Sequence, residues 1–177
     1  MRWELLPESE EARALAAEIG VHPLVAQVLW RRGVRGVEDA HRFLRPSLAD
    51  LPDPALLAGI DAAVERLIRA IEAGERITAY GDYDVDGVTS TTLLVSFLRA
   101  LGAHVDHYVP HRLAEGYGLN LQAVARLAER GTRLLVTLDC GVTAVSEIDE
   151  ALPLGVDVVV VDHHTTPAVL PRPAAIL

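Results

Sequence analysis

From Arg76 onward, short apolar runs with strand character alternate with longer runs whose apolar residues have helical spacing. The strand-like runs are residues 76–80, 103–109, 133–138 and 156–161. The helical runs between them are residues 88–101, 121–130 and 143–152. Strands separated by helices of this length are typical of right-handed βαβ units, which place the strands in a parallel sheet. The third and fourth runs are continuously apolar at their centres, as in strands buried on both faces. We therefore predict an α/β fold built on a doubly wound parallel sheet.

The first 75 residues have the pattern of a small helical region. Ser9 precedes a run rich in Glu and Ala that stops at Gly20, which is typical of a capped helix with a glycine end. Further helices are predicted over residues 23–32, 37–44 and 60–73. Three prolines between residues 46 and 54 indicate a linker. We predict a helical amino-terminal region over residues 1–75, followed by the α/β domain over residues 76–177.

The composition restricts the class of protein. With 16 basic and 25 acidic residues, the net charge is −9, which disfavours a module that coats nucleic acid passively through phosphate contacts. It does not disfavour an enzyme whose acidic site holds cations. The single cysteine, Cys140, excludes an internal disulfide framework and a cysteine-rich zinc site, and is expected to pack beside the site. We see neither a signal peptide nor a run of about 20 apolar residues, so no membrane is expected and the expected location is the cytoplasm.

Polar residues follow three of the predicted strands directly. The first strand leads into residues 81–87 (GDYDVDG), the third into residues 139–141 (DCG) and the fourth into residues 162–164 (DHH). In an open parallel sheet, ligands bind beyond the carboxyl ends of the strands. The three clusters should therefore meet at one edge of the sheet, where they offer at least five carboxylates and two imidazoles.

Such a cluster repels itself unless cations bind within it. Carboxylate and imidazole ligands suit Mn²⁺, Fe²⁺, Zn²⁺ or Mg²⁺, and oxygen-rich sites favour Mn²⁺ or Mg²⁺. Two ions sharing a carboxylate are the usual arrangement for phosphoryl hydrolysis. A plainer alternative is that Asp82 and Asp84 only cap the following helix or bind a turn. A calcium-binding EF-hand loop is excluded, because its twelfth position is Leu93 and a strand precedes it.

These segments together resemble the DHH phosphoesterase family, in the form found in the RecJ exonucleases. Residues 81–87 are similar to the family's first motif, residues 139–141 to its second and residues 162–164 to the motif that gives the family its name. Residues 111–119 (HRLAEGYGL) resemble a further RecJ segment between the first two. The order and the spacing agree, and the resemblance is good over about residues 76–166.

The resemblance implies a set of metal ligands. Asp82 and Asp139 would bind one ion, and Asp84, Asp139 and His163 would bind the other, with Asp139 shared. Asp162 would orient the ligands from behind, as carboxylates near metal sites often do. The ions would be Mn²⁺ or Mg²⁺.

The resemblance also implies residues for the substrate. His164 would contact the scissile phosphate or assist the leaving group. Arg112 would bind phosphate, and Tyr117 would help to shape the nucleotide pocket. His111 would also belong to the substrate-binding residues. An alternative is purely structural, with Glu115 pairing with Arg112.

The function implied by the resemblance is 5′-to-3′ hydrolysis of single-stranded DNA in repair and recombination, with a helicase or a single-strand-binding protein as candidate partners. One alternative is a DHH phosphodiesterase that acts on short oligoribonucleotides or cyclic dinucleotides. Another is an inactive fragment or scaffold. The family's fourth motif, which carries another ligand Asp, and its second domain do not occur up to Leu177. Residues 76–177 are therefore expected to be the amino-terminal part of a DHH domain.

Overall fold

The computed structural model describes residues 7–177; residues 1–6, where the predicted helical region starts, lie outside the described part. The chain divides into two compact units, of which the first ends at Asp53 and the second spans Pro54–Leu177. Within residues 7–177, none of the helices is long and apolar enough to cross a membrane.

The first unit is helical. Its helices are α1 (Glu10–Ile19), α2 (Pro23–Arg31) and α3 (Val37–Leu44). The Ser9 side chain accepts a hydrogen bond from the backbone N–H of Ala12 at 3.2 Å, and Gly20 ends α1 with a φ of 69°. Leu15, Leu29 and Ala40 form a small core between the three helices. The predicted helices in this region are therefore confirmed.

The second unit contains a five-stranded sheet. In chain order its elements are α4 (Ile60–Glu72), β1 (Arg76–Gly81), α5 (Val85–Ala100), β2 (Val105–Tyr108), α6 (Leu121–Glu129), β3 (Thr132–Leu138), α7 (Val145–Ala151), β4 (Asp157–Val161) and β5 (Ala175–Ile176). The strand order is β2-β1-β3-β4-β5, and all neighbours are parallel. The predicted parallel α/β sheet is confirmed. The short β5, which pairs with β4, was not predicted.

Helices cover both faces of the sheet. Along β3, Leu134 and Val136 belong to the apolar cluster that includes buried residues of α4 and α5. Leu135 points to the other face, into the cluster that includes buried residues of α6 and α7. Because side chains alternate along a strand, the continuous apolar run of β3 supplies both clusters. This is the doubly wound architecture predicted from the sequence.

The strand order creates a crevice between β1 and β3. The chain leaves β1 toward β2 on one side, then returns through α6 to β3 on the other side of β1. At such a reversal the loops diverge from each other, and ligands bind in the crevice beyond the carboxyl ends of the strands. The loops that carry Asp82 and Asp139 begin at this point.

Candidate metal centre

The crevice brings together two groups of side chains that can hold a metal ion. Ligand atoms of Asp82, Asp84 and Asp139 lie within 4.8 Å of one another, and so do those of Asp139, His163 and His164. The predicted meeting of the three clusters at one edge of the sheet is therefore observed. Asp139 belongs to both groups, the position expected of a carboxylate shared between two ions.

Asp82 is the residue whose surroundings point most directly to a bound cation. Its side chain follows β1 directly, and the residue is only 2% exposed. Its Oδ1 atom is buried and has no hydrogen-bond partner among residues 7–177. A buried charged oxygen without a partner carries a large desolvation cost, which a bound cation would offset. The residues present therefore fit a divalent cation.

Asp84 caps α5 as well as joining the acidic group. Its Oδ1 atom accepts hydrogen bonds from the backbone N–H groups of Gly87 at 3.1 Å and Asp86 at 2.9 Å. These bonds, that of Gly87 foremost, lower the pKa of Asp84. Asp84 therefore caps the helix, and it also belongs to the acidic group that could hold a metal ion, so the cap does not exclude a ligand role.

Asp139 has an unusual backbone conformation and an unfavourable surrounding for a charge. Its φ is 64°, the one positive φ of a non-glycine residue in the described part of the chain. Burial, and then the neighbouring Asp84 carboxyl group, raise the pKa of Asp139, against the effect of His163, whose Nε2 lies 2.9 Å from Oδ1. The carboxylate groups of Asp84 and Asp139 have oxygen atoms within 4.8 Å of each other. Two carboxylates at this distance favour either a shared proton or a bound cation.

Asp162 is engaged by its own loop and by a neighbouring one. Its Oδ2 accepts the backbone N–H of Val142 at 2.9 Å, and its Oδ1 lies 2.8 Å from Nδ1 of His164. Burial raises the pKa of Asp162, but hydrogen bonds from Val142 and His164 outweigh it, so the net shift is downward. The bond to Asp162 in turn raises the pKa of His164.

The family of the chain is decided by residues 76–177, which match the family described as "DHH family, N-terminal domain". The chain belongs to the DHH family. This range covers the whole sheet and every residue of the two groups that could hold a metal ion.

The DHH chain is also similar to named exonucleases over its whole length. It is 43% identical to the single-stranded-DNA-specific exonuclease RecJ of Bacillus subtilis, covering 100% of this chain and 23% of the relative. It is 42% identical to the RecJ of Thermus thermophilus, covering 100% of this chain and 25% of that relative. The chain thus spans about a quarter of the length of these relatives.

Two solved structures have the same fold. A crystal structure of exonuclease RecJ bound to manganese has a TM-score of 0.66 at 42% identity, covering 71% of this chain and 32% of that one. RecJ from Thermus thermophilus in complex with Mn²⁺ has a TM-score of 0.65 at 36% identity, covering 97% of this chain and 24% of that one.

The residues predicted to contact substrate differ in their distance from the DHH site. The Tyr117 hydroxyl lies 3.3 Å from Nδ1 of His164 and 3.5 Å from the carbonyl oxygen of Asp139. Burial, and then the charge of Asp162, raise the pKa of Tyr117 to about 12. Tyr117 therefore borders the candidate metal centre.

Arg112 and His111 are engaged differently. Arg112 lies over the ring of Tyr83, with Cζ 5.0 Å from the centroid. His111 shapes its own loop: its Nδ1 accepts the backbone N–H of Ala114 at 3.3 Å. Glu115 does not pair with Arg112; its carboxylate binds Arg126, the Tyr108 hydroxyl and the His111 backbone N–H. The alternative that pairs Glu115 with Arg112 is wrong, because Glu115 is occupied by these partners.

Three features of the DHH site were not foreseen from the sequence. Tyr83 packs edge-on against Tyr117, with ring centroids 6.5 Å apart. The backbone of Val142 supports Asp162. Gly87 allows α5 to start against β1, since a Cβ there would lie 2.3 Å from the carbonyl oxygen of Asp82. The glycines of the first motif were a signal of this close approach; the other two contacts join distant segments and leave no local pattern.

Cys140, predicted to pack beside the site, is fully buried in the apolar cluster beneath α6 and α7. Burial raises the pKa of its thiol to about 12, so it has the character of an inert structural cysteine.

Proposed function

We propose that this chain carries the metal-binding part of a 5′-to-3′ exonuclease that hydrolyses single-stranded DNA. The observation that carries the proposal is the group of Asp82, Asp84 and Asp139 at the strand-order reversal, with the buried Oδ1 of Asp82 unpartnered among residues 7–177. The substrate is supported by the names of the relatives, which are single-stranded-DNA-specific exonucleases. The choice of ion is supported by the manganese-bound RecJ structures.

The proposed ligands are Asp82 and Asp139 for one ion, and Asp84, Asp139 and His163 for the other. The membership of Asp139 in both side-chain groups supports its shared role. When bound, two Mn²⁺ or Mg²⁺ ions supply a hydroxide nucleophile and stabilise the charge that develops on the phosphate. The chain itself contributes the crevice and the fixed positions of these ligands.

His164 is proposed to act on the scissile phosphate or on the leaving oxygen. Its Nδ1 lies 2.8 Å from Oδ1 of Asp162, so Nε2, which lies 3.4 Å from the Tyr117 hydroxyl, is the proposed proton donor. Asp162 is proposed to set the orientation of this ring, and its own two backbone hydrogen bonds support that role. Arg112 is proposed to bind a backbone phosphate, with Tyr117 beside the nucleotide.

We further propose that the activity belongs to DNA repair and recombination in the cytoplasm. A nuclease specific for single strands needs another activity to separate the duplex, and exposed single strands are bound by coating proteins. A helicase and a single-strand-binding protein are therefore the proposed partners. This wider role is supported by the specificity of the RecJ relatives for single-stranded DNA.

The test is a cleavage assay on the purified chain with Mn²⁺. Single-stranded DNA labelled at the 5′ or the 3′ end is compared with a short RNA oligomer and a cyclic dinucleotide. We expect nucleotides to be released from the 5′ end of DNA, and Asp84→Asn to abolish the release. Asp86→Asn is the matched control, because Asp86 lies in the same motif but outside both metal-binding groups.

Three results would count against the proposal. Cleavage of RNA or the cyclic dinucleotide instead of DNA would contradict the substrate. Activity that survives Asp84→Asn would contradict the site. If the folded, Mn²⁺-loaded chain cuts none of these substrates, the scaffold alternative is favoured.

A further inference from the structure

The guanidinium group of Arg112 lies against an aromatic ring instead of a carboxylate. Its Cζ atom is 5.0 Å from the ring centroid of Tyr83. Glu115, the acid three residues further along the same loop, is bound by Arg126. Within residues 7–177 the structure records no hydrogen bond or ion pair of the Arg112 side chain. All of its N–H donors are thus available to a ligand.

The Tyr83 ring is in turn fixed to the metal centre. It follows Asp82 directly at the end of β1, and it packs edge-on against Tyr117 at a centroid distance of 6.5 Å. Tyr117 packs edge-on against His164 at 5.8 Å. A continuous row of rings therefore connects Arg112 to the DHH motif. The guanidinium lies at one end of this row.

A ring face and a carboxylate hold an arginine with different consequences. A carboxylate binds the guanidinium N–H groups and cancels the charge, so less of both is left for a ligand. A ring face attracts the cation and leaves the in-plane donors free, in the planar fork that suits a phosphate.

We propose that Tyr83 is a positioning residue for phosphate binding: its ring holds Arg112 ready for a backbone phosphate of single-stranded DNA. The inference rests on the proposed function and deepens it. Tyr83 is not among the proposed ligands or substrate contacts. It would act through Arg112, and it would do so by its ring face and not by its hydroxyl.

If Tyr83 positions Arg112 in this way, substituting the uncharged Tyr83 should change the salt dependence of DNA binding. Each phosphate contact on a single strand contributes about 0.7 to the slope of log K against log salt. Arg112→Gln should reduce the slope by about this amount. Tyr83→Leu should reduce it similarly and weaken binding about two- to fivefold, the worth of an exposed cation–π contact. Tyr83→Phe keeps the ring face and should keep the slope.

The experiment measures binding of a fluorescent single-stranded oligothymidylate to the full chain by anisotropy, over a series of NaCl concentrations. Ca²⁺, which oxygen ligands also hold, replaces Mn²⁺, and a gel confirms that the oligonucleotide stays intact. The variants are Tyr83→Phe, Tyr83→Leu, Arg112→Gln and a double variant that combines Tyr83→Leu with Arg112→Gln. Mn²⁺ binding to each variant is measured separately.

We expect Tyr83→Leu and Arg112→Gln to flatten the slope to a similar extent, and their combination to add little. If Arg112→Gln flattens the slope and Tyr83→Leu does not, the inference is overturned while the proposed function stands. If Tyr83→Leu also loses Mn²⁺ binding, the ring supports the ligand loop instead, which overturns it as well. If the unsubstituted chain does not bind the oligonucleotide, the result contradicts the proposed function, and with it the role of Tyr83 that rests on that function.

Discussion

Nε2 of His163 lies 2.9 Å from Oδ1 of Asp139, although the two residues are 24 positions apart in the chain. The contact follows from the sheet: Leu138 pairs in register with Val161, so the residues after β3 and β4 emerge side by side. A register slip of one residue would turn the side chains to opposite faces. The geometry of the proposed metal centre therefore depends on the pairing of these two strands.

The left-handed backbone of Asp139 should show in the stability of its variants. At a φ of 64°, asparagine is tolerated and glycine is free of strain, whereas alanine costs about 1–2 kcal/mol. We expect Asp139→Ala to be less stable than Asp139→Asn by about this amount. Urea unfolding in the absence of metal measures the difference. Equal stability of the two variants would contradict the strain assigned to this residue.

Gly87 is predicted to be required for both folding and metal binding. A Cβ at this position would lie 2.3–2.6 Å from backbone atoms of Asp82, which cannot move independently of β1. Gly87→Ala should cost about 1–3 kcal/mol of stability, as overpacking does, and should weaken Mn²⁺ binding.

The matched control is Gly36→Ala, where a Cβ would lie 3.6 Å from a side-chain oxygen of Asp39, an ordinary contact. Chemical unfolding and Mn²⁺ titration are run on both variants. We expect the control to bind Mn²⁺ as the unsubstituted chain does. Unchanged Mn²⁺ binding in Gly87→Ala would show that the approach of α5 to β1 is not needed for the site.

Arg66 is predicted to stabilise the second unit independently of the metal centre. Its side chain, 7% exposed, binds Glu75 at 2.7 Å and Asp157 at 2.6 Å. Breaking a buried ion pair costs about 3–5 kcal/mol, but these carboxylates are partly exposed, so Arg66→Met should cost about 1–3 kcal/mol. Arg69→Met, on the same helix, removes an exposed pair with Glu65 and should cost less than about 1 kcal/mol. Similar losses of stability in the two variants would refute the role of burial.

The Glu115 carboxylate should give the chain a defined loss of stability in acid. Hydrogen bonds from the His111 backbone N–H and then the Tyr108 hydroxyl, assisted by Arg126, lower its pKa in the folded chain. Because this pKa is lower in the folded chain than in the unfolded chain, the ionised carboxylate stabilises the fold. The stabilisation is fully present above the unfolded pKa, about 4.3, and is lost as the pH falls through the folded pKa. We expect the difference in Tm between the chain and Glu115→Gln to be largest near pH 7. It should shrink below about pH 4; a difference independent of pH would argue against the charge.

The sequence predicted the parts of this molecule that repeat a pattern. The apolar run that includes residues 134–136 was sufficient to predict a buried strand, and Ser9 with Gly20 was sufficient to bound α1. Placement of the polar residues after three strands then predicted where the acidic group would form. Strand β5 was missed because its two residues carry no periodicity, and its place is set by pairing with β4.

Contacts between residues that are far apart in the chain could not be predicted from local sequence patterns. The hydrogen bond from Val142 to Asp162 and the packing of Tyr83 on Tyr117 depend on where the loops meet in three dimensions. The positive φ of Asp139 likewise left no local signal: Gly141, two residues further on, also has a positive φ, of 113°, and glycine is the residue expected in such a conformation.

The central claim is that this crevice binds divalent cations through its carboxylates, and Mn²⁺ binding to the purified chain tests it most directly. Free Mn²⁺ is followed by electron paramagnetic resonance for the unsubstituted chain, Asp82→Asn and the control Asp86→Asn, with circular dichroism to confirm folding. We predict that Asp82→Asn weakens binding by about tenfold or more, since even partners behind metal ligands contribute about 10–100-fold. Asp86→Asn should bind as the unsubstituted chain does. If folded Asp82→Asn binds Mn²⁺ as tightly as the unsubstituted chain, the metal centre described for this crevice is wrong.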